Sequence, residues 1–265
     1  MTGVAAALAA MLGALALAGC AGPPASPFAQ PAIKPNTSAE EGTLRTRARV
    51  HTELAAGYYE LRNMAVALAE VEQALRAEPG YGPAYNVAGL IHAALKQDDL
   101  AHRHFQRALA IDPVDPDANN NYGHFLCERG REAEAIKYFL AALANPLYQN
   151  RERSYLNAGL CSQRKGNIAA AEDYFQRALK VAPNHPQALY QLAEIAYGRG
   201  AYAQAKNYLV RLEQVAAPSA QVLWLGLRIE RRLGDRNAAA TYGQQLRRQF
   251  PDSKEARALL VGIDE

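Results

Sequence analysis

One spacing constrains this chain more than anything else in it: small, apolar and proline positions return every 34 residues. Pro79 and Pro113 stand 34 residues apart, and so do Val71 and Phe105. The clearest unit is Asn120 to Tyr148, NNYGHFLCERGREAEAIKYFLAALANPLY. Tyr122, Gly123 and Leu126 mark a first helix, Gly130 a turn, and Ala135, Phe139 and Ala142 a second helix that Pro146 ends. Gly123 and Ala135 are small enough for the two helices to approach closely. Tyr122, Phe139 and Leu143 fill the space toward neighbouring hairpins. One such hairpin cannot bury its apolar faces alone, so copies are expected on both sides.

A helix–turn–helix of this length and patterning is a tetratricopeptide repeat. Six units align, at 48–81, 82–115, 116–149, 152–185, 186–219 and 220–253, with two extra residues near Asn150 and Arg151 before the fourth. Residues 254–265 read as a capping helix, with Ala256, Leu259 and Leu260 on its buried side. The expected fold is all-α: a right-handed α-solenoid of six repeats whose first helices line the concave side. Composition agrees. The sequence has 265 residues, 49% of them hydrophobic, and a formal charge of +3, too balanced for a nucleic-acid binder or a disordered protein. Its abundant alanine favours helices.

The first 47 residues lie outside the repeats. Residues 2–19 are uncharged, apolar or small, and end in Leu17-Ala18-Gly19-Cys20. That pattern indicates a signal peptide over 1–19. Its last four residues resemble a bacterial lipobox, which implies cleavage before Cys20 and lipid on that cysteine. The competing possibility is an uncleaved helical anchor, for which about 18 residues is the lower limit of a bilayer span. No Lys or Arg precedes Cys20, which admits a start codon upstream. Ala21 stands where many Gram-negative lipoproteins retained in the inner membrane have Asp, which favours the outer membrane. Residues 20–47 hold the lipidated cysteine and a tether rich in proline (Pro23, Pro24, Pro27, Pro31 and Pro35). Fully extended, a tether of about 25 residues reaches at most ~80 Å.

Motifs for catalysis are missing: no phosphate-binding glycine loop, GxSxG or HExxH occurs. His102 and His104 are two apart on a helix and should diverge, so no metal site is expected. Asp98 and Asp99 read as a helix cap or solvated charge. Neither an enzymatic activity nor a cofactor is expected. Cys127 and Cys161 fall in the first helices of adjacent repeats. In an oxidising compartment they could bridge repeats three and four, or they could pack as buried free thiols.

Repeat arrays of this kind bind partners on the concave surface. Helical geometry places there Tyr59, Asn86, Asn120, His124, Arg153, Gln187, Tyr190, Tyr197, Trp224 and Arg228, with Thr52, Leu90 and Leu156 beside them. Asparagines can clamp an extended backbone, aromatics can anchor apolar side chains, and arginine can take a carboxylate. The plainer alternative is that Leu90, Leu156 and some aromatics only pack between helices. Some co-chaperones hold a C-terminal carboxylate with Lys and Arg from three consecutive first helices. Here Thr52, Ala56, Asn86 and Asp117 stand near those places, so the basic set is missing.

Two stretches go beyond the generic repeat: Asn120 to Tyr148, and Leu223–Ser253, LWLGLRIERRLGDRNAAATYGQQLRRQFPDS. With the lipobox, the proline-rich tether and six repeats, they resemble the type IV pilus biogenesis and stability lipoproteins, the PilF/PilW family, over roughly residues 45–255. The resemblance implies a pilotin, a lipidated tetratricopeptide protein that binds subunits of the pilus secretin and promotes their localisation or assembly in the outer membrane. It implies a periplasmic-facing, lipid-anchored protein with no nucleic-acid partner and no small-molecule substrate. The alternative is a general scaffold that recruits envelope or cell-wall enzymes.

Overall fold

The computed structural model describes residues 37–262, with side chains from Gly42 onward. The expected signal peptide, Cys20 and most of the tether lie outside the described residues. Thirteen helices and no strands occur among the described residues. Twelve pair into six hairpins: α1 (Thr37–Glu60) with α2 (Met64–Ala77), α3 (Gly82–Ala94) with α4 (Asp98–Ile111), and α5 (Pro116–Glu128) with α6 (Glu132–Ala144). Then come α7 (Arg151–Arg164) with α8 (Ile168–Val181), α9 (Pro186–Gly198) with α10 (Tyr202–Glu213), and α11 (Ala220–Leu233) with α12 (Arg236–Gln249). The closing helix is α13 (Lys254–Leu260). This is the α-solenoid of tetratricopeptide repeats.

One boundary differs from expectation. The sequence pattern runs the tether to residue 47, yet α1 starts at Thr37. No repeat position marks those eleven residues, but after Pro35 they include Ala39, Glu40, Glu41, Leu44, Arg45 and Arg47, all good helix formers.

Helix starts follow local chemistry. Asp115, Asn167, Asp235 and Ser253 each accept a hydrogen bond from the backbone N–H three residues on. Pro116 and Pro186 open α5 and α9, where a missing N–H is harmless. Of the two roles open to Asp98, helix cap or solvated charge, the cap is not formed: Gln97 stands at the N-cap of α4 without a side-chain bond. Asp98 instead receives two 2.7 Å bonds from the Arg129 guanidinium of the next repeat. That bonding holds its carboxyl below the usual carboxylate range.

The hairpin turns share one backbone device. Gly130, Gly166, Gly200 and Gly234 have φ between +73° and +83°, and at the same turn of the first two hairpins Arg62 and Lys96 take φ of 60°. A left-handed residue lets the backbone reverse while the last turn of the first helix is capped: Gly130 N–H bonds to Cys127 O and Arg131 N–H to Leu126 O.

Close packing inside each hairpin rests on a missing side chain. A methyl group at Gly89 would lie 2.7 Å from the Phe105 ring, at Gly123 2.8 Å from Phe139, and at Gly226 2.7 Å from Tyr242. Gly159 meets Phe175 in the same way. The partner always lies sixteen residues on. Where Ala takes the glycine's place, the partner shrinks: Ala55 packs in one cluster with Val71, and Ala193 with Leu209.

The core is a series of overlapping clusters, most of them straddling adjacent hairpins. One runs from Phe105 through Tyr122 and Phe139 to Cys161, another from Phe175 to Leu192, and a third from Leu209 to Ile229. The Tyr122 hydroxyl lies 2.7 Å from His102 Nδ1, and burial raises its pKa to about 12. Cys127 and Cys161 are joined by a disulfide with Cα atoms 5.8 Å apart, tying α5 to α7.

First helices pack on one another: α3 on α5, α5 on α7, and α9 on α11, whereas second helices reach the next hairpin through its first helix. The stack therefore closes up on the side of the first helices. The junction between the fourth and fifth hairpins is carried mainly by α8 against α9. An open cavity of about 560 Å³ lies there between Gln163, Ile168 and Glu172 on one side and Glu194, Gly198 and Arg199 on the other. A 2.8 Å ion pair from Arg199 to Glu172 spans it.

Candidate functional site

The face made by the first helices has two parts of different chemistry. Over α3, α5 and α7 it is polar. Asn121 Nδ2 donates to Asn86 Oδ1 at 3.2 Å, and Arg153 donates to Asn121 Oδ1 at 3.2 Å. One step deeper, Ser154 Oγ and Asn157 Nδ2 donate to Asn120 Oδ1 at 2.9 and 3.0 Å. Polar side chains of α5 and α7 thus each bond to the first helix before them. The sequence pattern assigns Asn86 and Asn120 to clamping a ligand backbone. Asn120 is fully buried and Asn86 nearly so. Their carbonyls are taken up inside the stack, so they hold helices together rather than face a groove. Asn121 and Asn157, which helical spacing does not single out, complete this ladder.

His124 and Arg153 stand exposed on the same face. His124 is an exposed residue, yet the wall around its ring removes enough water to lower its pKa. Arg153, Arg164 and Arg129 push the same way, and Glu128 opposes them. Gln187 is exposed near the start of α9. Tyr59 packs half-buried against the first cluster. Thr52 is buried and donates to Ala48 O, Leu156 is buried, and Leu90 packs against the core, so these three belong between helices.

Over α9 and α11 the face is aromatic. Tyr190, Trp224 and Arg228 line one open cleft of about 470 Å³ with Glu194 and Gln221, and α13 closes its far side with Lys254, Glu255 and Ala258. The Tyr190 hydroxyl donates to Glu194 Oε1 at 3.2 Å, and burial first, then the Glu194 carboxylate, raises its pKa. The Arg228 guanidinium lies 4.3 Å over the Tyr197 ring, a favourable placement for a cation. Burial alone would raise the Tyr197 pKa. Hydrogen bonding and positive charge from Arg232 and Arg228 outweigh it, and the pKa is lowered. Arg228 Nε is buried and has no acceptor.

The structure brings Tyr190, Trp224 and Arg228 to one cleft and sets Tyr197 under Arg228. Helical spacing does not point to Glu194, Arg232, Lys254 or Glu255. The first two lie one turn further along the same helical stripes, where an extended reading would find them. The α13 residues carry no such signal, because tertiary packing alone brings them to the cleft.

His102 and His104 face different ways: His102 turns to Tyr122, while His104 stacks on His92 at 5.0 Å. Among the described residues no group of three or more His, Cys, Asp or Glu could hold a metal ion. No helix among them is long and apolar enough to cross a membrane.

Comparison with known proteins gives a consistent result. Tetratricopeptide-repeat profiles match residues 52–116, 104–137 and 164–224. The type IV pilus assembly protein PilF of Pseudomonas aeruginosa is 32% identical over 225 residues, 83% of this chain and 89% of that protein. A solved structure of Pseudomonas aeruginosa PilF superposes with a TM-score of 0.77 at 29% identity, covering 83% of this chain and all of that one. The crystal structure of PilW, described as a widely conserved type IV pilus biogenesis factor, superposes with a TM-score of 0.73 at 36% identity. It covers 80% of this chain and 98% of that one.

Proposed function

Because the protein belongs to the PilF family of type IV pilus assembly proteins, we propose that it works as a pilotin, a lipid-anchored cradle that binds subunits of the pilus secretin and promotes their localisation and assembly in the outer membrane. Cys20 carries the lipid, and several acyl groups anchor firmly where one would be marginal. Residues between Cys20 and α1 form the leash, and the repeats hold a secretin segment near the bilayer, raising its effective concentration there. The Cys127–Cys161 bridge suits an oxidising compartment such as the periplasm.

The observation that carries the binding role is the open cleft in which Tyr190, Trp224 and Arg228 meet. Those are the residue types in which interface binding energy concentrates. A pull-down from envelope extracts with the lipidated protein tests the reading. Secretin should be captured, and Cys20→Ala should leave secretin subunits unassembled or in the wrong membrane. Normal secretin rings in that variant would refute the anchoring role. Capture of cell-wall hydrolases, with pili intact on deletion, would instead favour the general scaffold.

A further inference from the structure

We propose that the cleft between α9, α11 and α13 takes a segment of a protein partner that carries a carboxylate beside an aliphatic or aromatic side chain. This rests on the reading of the first-helix face as the partner face and gives that face a ligand chemistry.

Three features point there. The first is the pair of aromatic walls, Tyr190 and Trp224, on an open cleft of about 470 Å³, within the ~300–1,000 Å³ range of clefts that hold ligand groups. Both offer apolar ring surface to a side chain that enters the cleft. The second is the orphan donor. Arg228 Nε is buried with no acceptor, whereas buried polar groups nearly always have partners. A carboxylate suits this guanidinium best, because a charge-assisted hydrogen bond is roughly twice as strong as a neutral one. The third is how the cleft's own charges are disposed. Glu194 already accepts the Tyr190 hydroxyl, and Lys254 Nζ approaches Glu255 only to 3.9 Å from a side chain that is 81% exposed. Although Glu194 and Glu255 also line the cleft, Arg228 and the solvent-exposed Lys254 are its cations, and an incoming carboxylate pairs with them.

The carboxylate could be an Asp or Glu side chain or the C-terminus of a polypeptide; both present the same group. A phage-displayed library of random dodecapeptides, selected against the full-length protein, finds the preferred sequences. Synthetic versions with free or amidated C-termini then separate the two sources. Trp224 is the one tryptophan in the sequence, so its emission reports occupancy of this cleft directly.

Selected peptides should combine Asp, Glu or a free C-terminus with Leu, Phe or Trp within a few residues. They should shift Trp224 emission and bind Arg228→Gln at least tenfold more weakly. Lys254→Gln, at an exposed position, should weaken binding several-fold and serves if Arg228→Gln fails to fold. Peptides without a carboxylate, failure to enrich any sequence, unchanged emission, or equal affinity for the variants would each overturn the proposal. The pilotin reading stands or falls separately. Secretin captured equally by the native protein and by Arg228→Gln would overturn the cleft as its seat and leave the pilotin role. A native protein that captures no secretin but selects acidic apolar peptides would do the reverse.

Discussion

The ring of Phe139 occupies the volume that a side chain at Gly123 would fill, 2.8 Å from where a methyl group would stand. The same lock recurs sixteen residues apart in other hairpins, and a residue larger by one methyl is matched by a partner smaller than Phe, as in Ala193 and Leu209. Gly123→Ala alone should cost ~1–3 kcal/mol by overpacking, and Phe139→Ala ~3–5 kcal/mol by leaving a cavity. Combining Gly123→Ala with Phe139→Leu should cost less than the sum of those two changes made singly. Urea unfolding of the native protein, both single variants and the double variant measures this; strict additivity would show that the two sites do not compete for one space.

At the turns, Lys96 holds φ of 60° where later hairpins have glycine. A side chain in that region is strained by roughly 1–2 kcal/mol, against which glycine's extra backbone entropy costs about 0.5–1 kcal/mol. Lys96→Gly should therefore leave the protein equally stable or better by up to about 1 kcal/mol, and Gly130→Ala should weaken it by about 1 kcal/mol. Thermal melts of both variants check the opposite signs.

The Cys127–Cys161 bridge joins residues 34 apart in sequence. Backbone entropy alone assigns such a bridge about 3–4 kcal/mol. Reduction, or a double change to alanine, should lower the urea midpoint and free the junction of the third and fourth repeats first. Hydrogen exchange should show α5 and α7 losing protection ahead of α9 and α11. Alkylation of both thiols without reductant would show that no bridge forms.

His104 stacks on His92 and lies beside Tyr85, while Arg107 sits over the Tyr85 ring. Burial lowers the His104 pKa, and His92 and Arg103 add to the effect. The folded state thus binds a proton less readily than the unfolded state. Stability from this site is complete above the unfolded pKa of about 6.5 and is lost as pH falls from there toward the lower folded value. His104→Asn should shrink the drop in stability between pH values of about 7.5 and 5.5. NMR titration of the ring should place its pKa below that of a free histidine, and a value above about 6.5 would contradict the sign.

Periodicity made the repeats legible. Pro79, Pro113 and the glycine–aromatic spacing carry the register through the array, and small residues opposite large ones leave a helical hairpin little choice. Two things stayed hidden. One was the extent of α1, since helix propensity over residues 37–47 leaves no repeat signature. The other was depth. Asn120 and Trp224 occupy the same column of the repeat, yet Asn120 is sealed between helices while Trp224 lines a cleft. Column position sets direction, but the neighbours set exposure: Ser154 and Asn157 close over Asn120, whereas the short α13 leaves a gap beside Trp224.

The covalent bridge between α5 and α7 has a mechanical consequence. An array held by nearest-neighbour contacts yields first at junctions that lack a covalent link. A covalent staple locks the third hairpin to the fourth, whereas the fourth meets the fifth through the apolar cluster from Phe175 to Leu192, the Arg199–Glu172 pair and a bond from Arg211 to the Pro183 carbonyl. The third and fourth hairpins therefore answer load as one piece, and the asparagine bonds across the same seam keep their spacing.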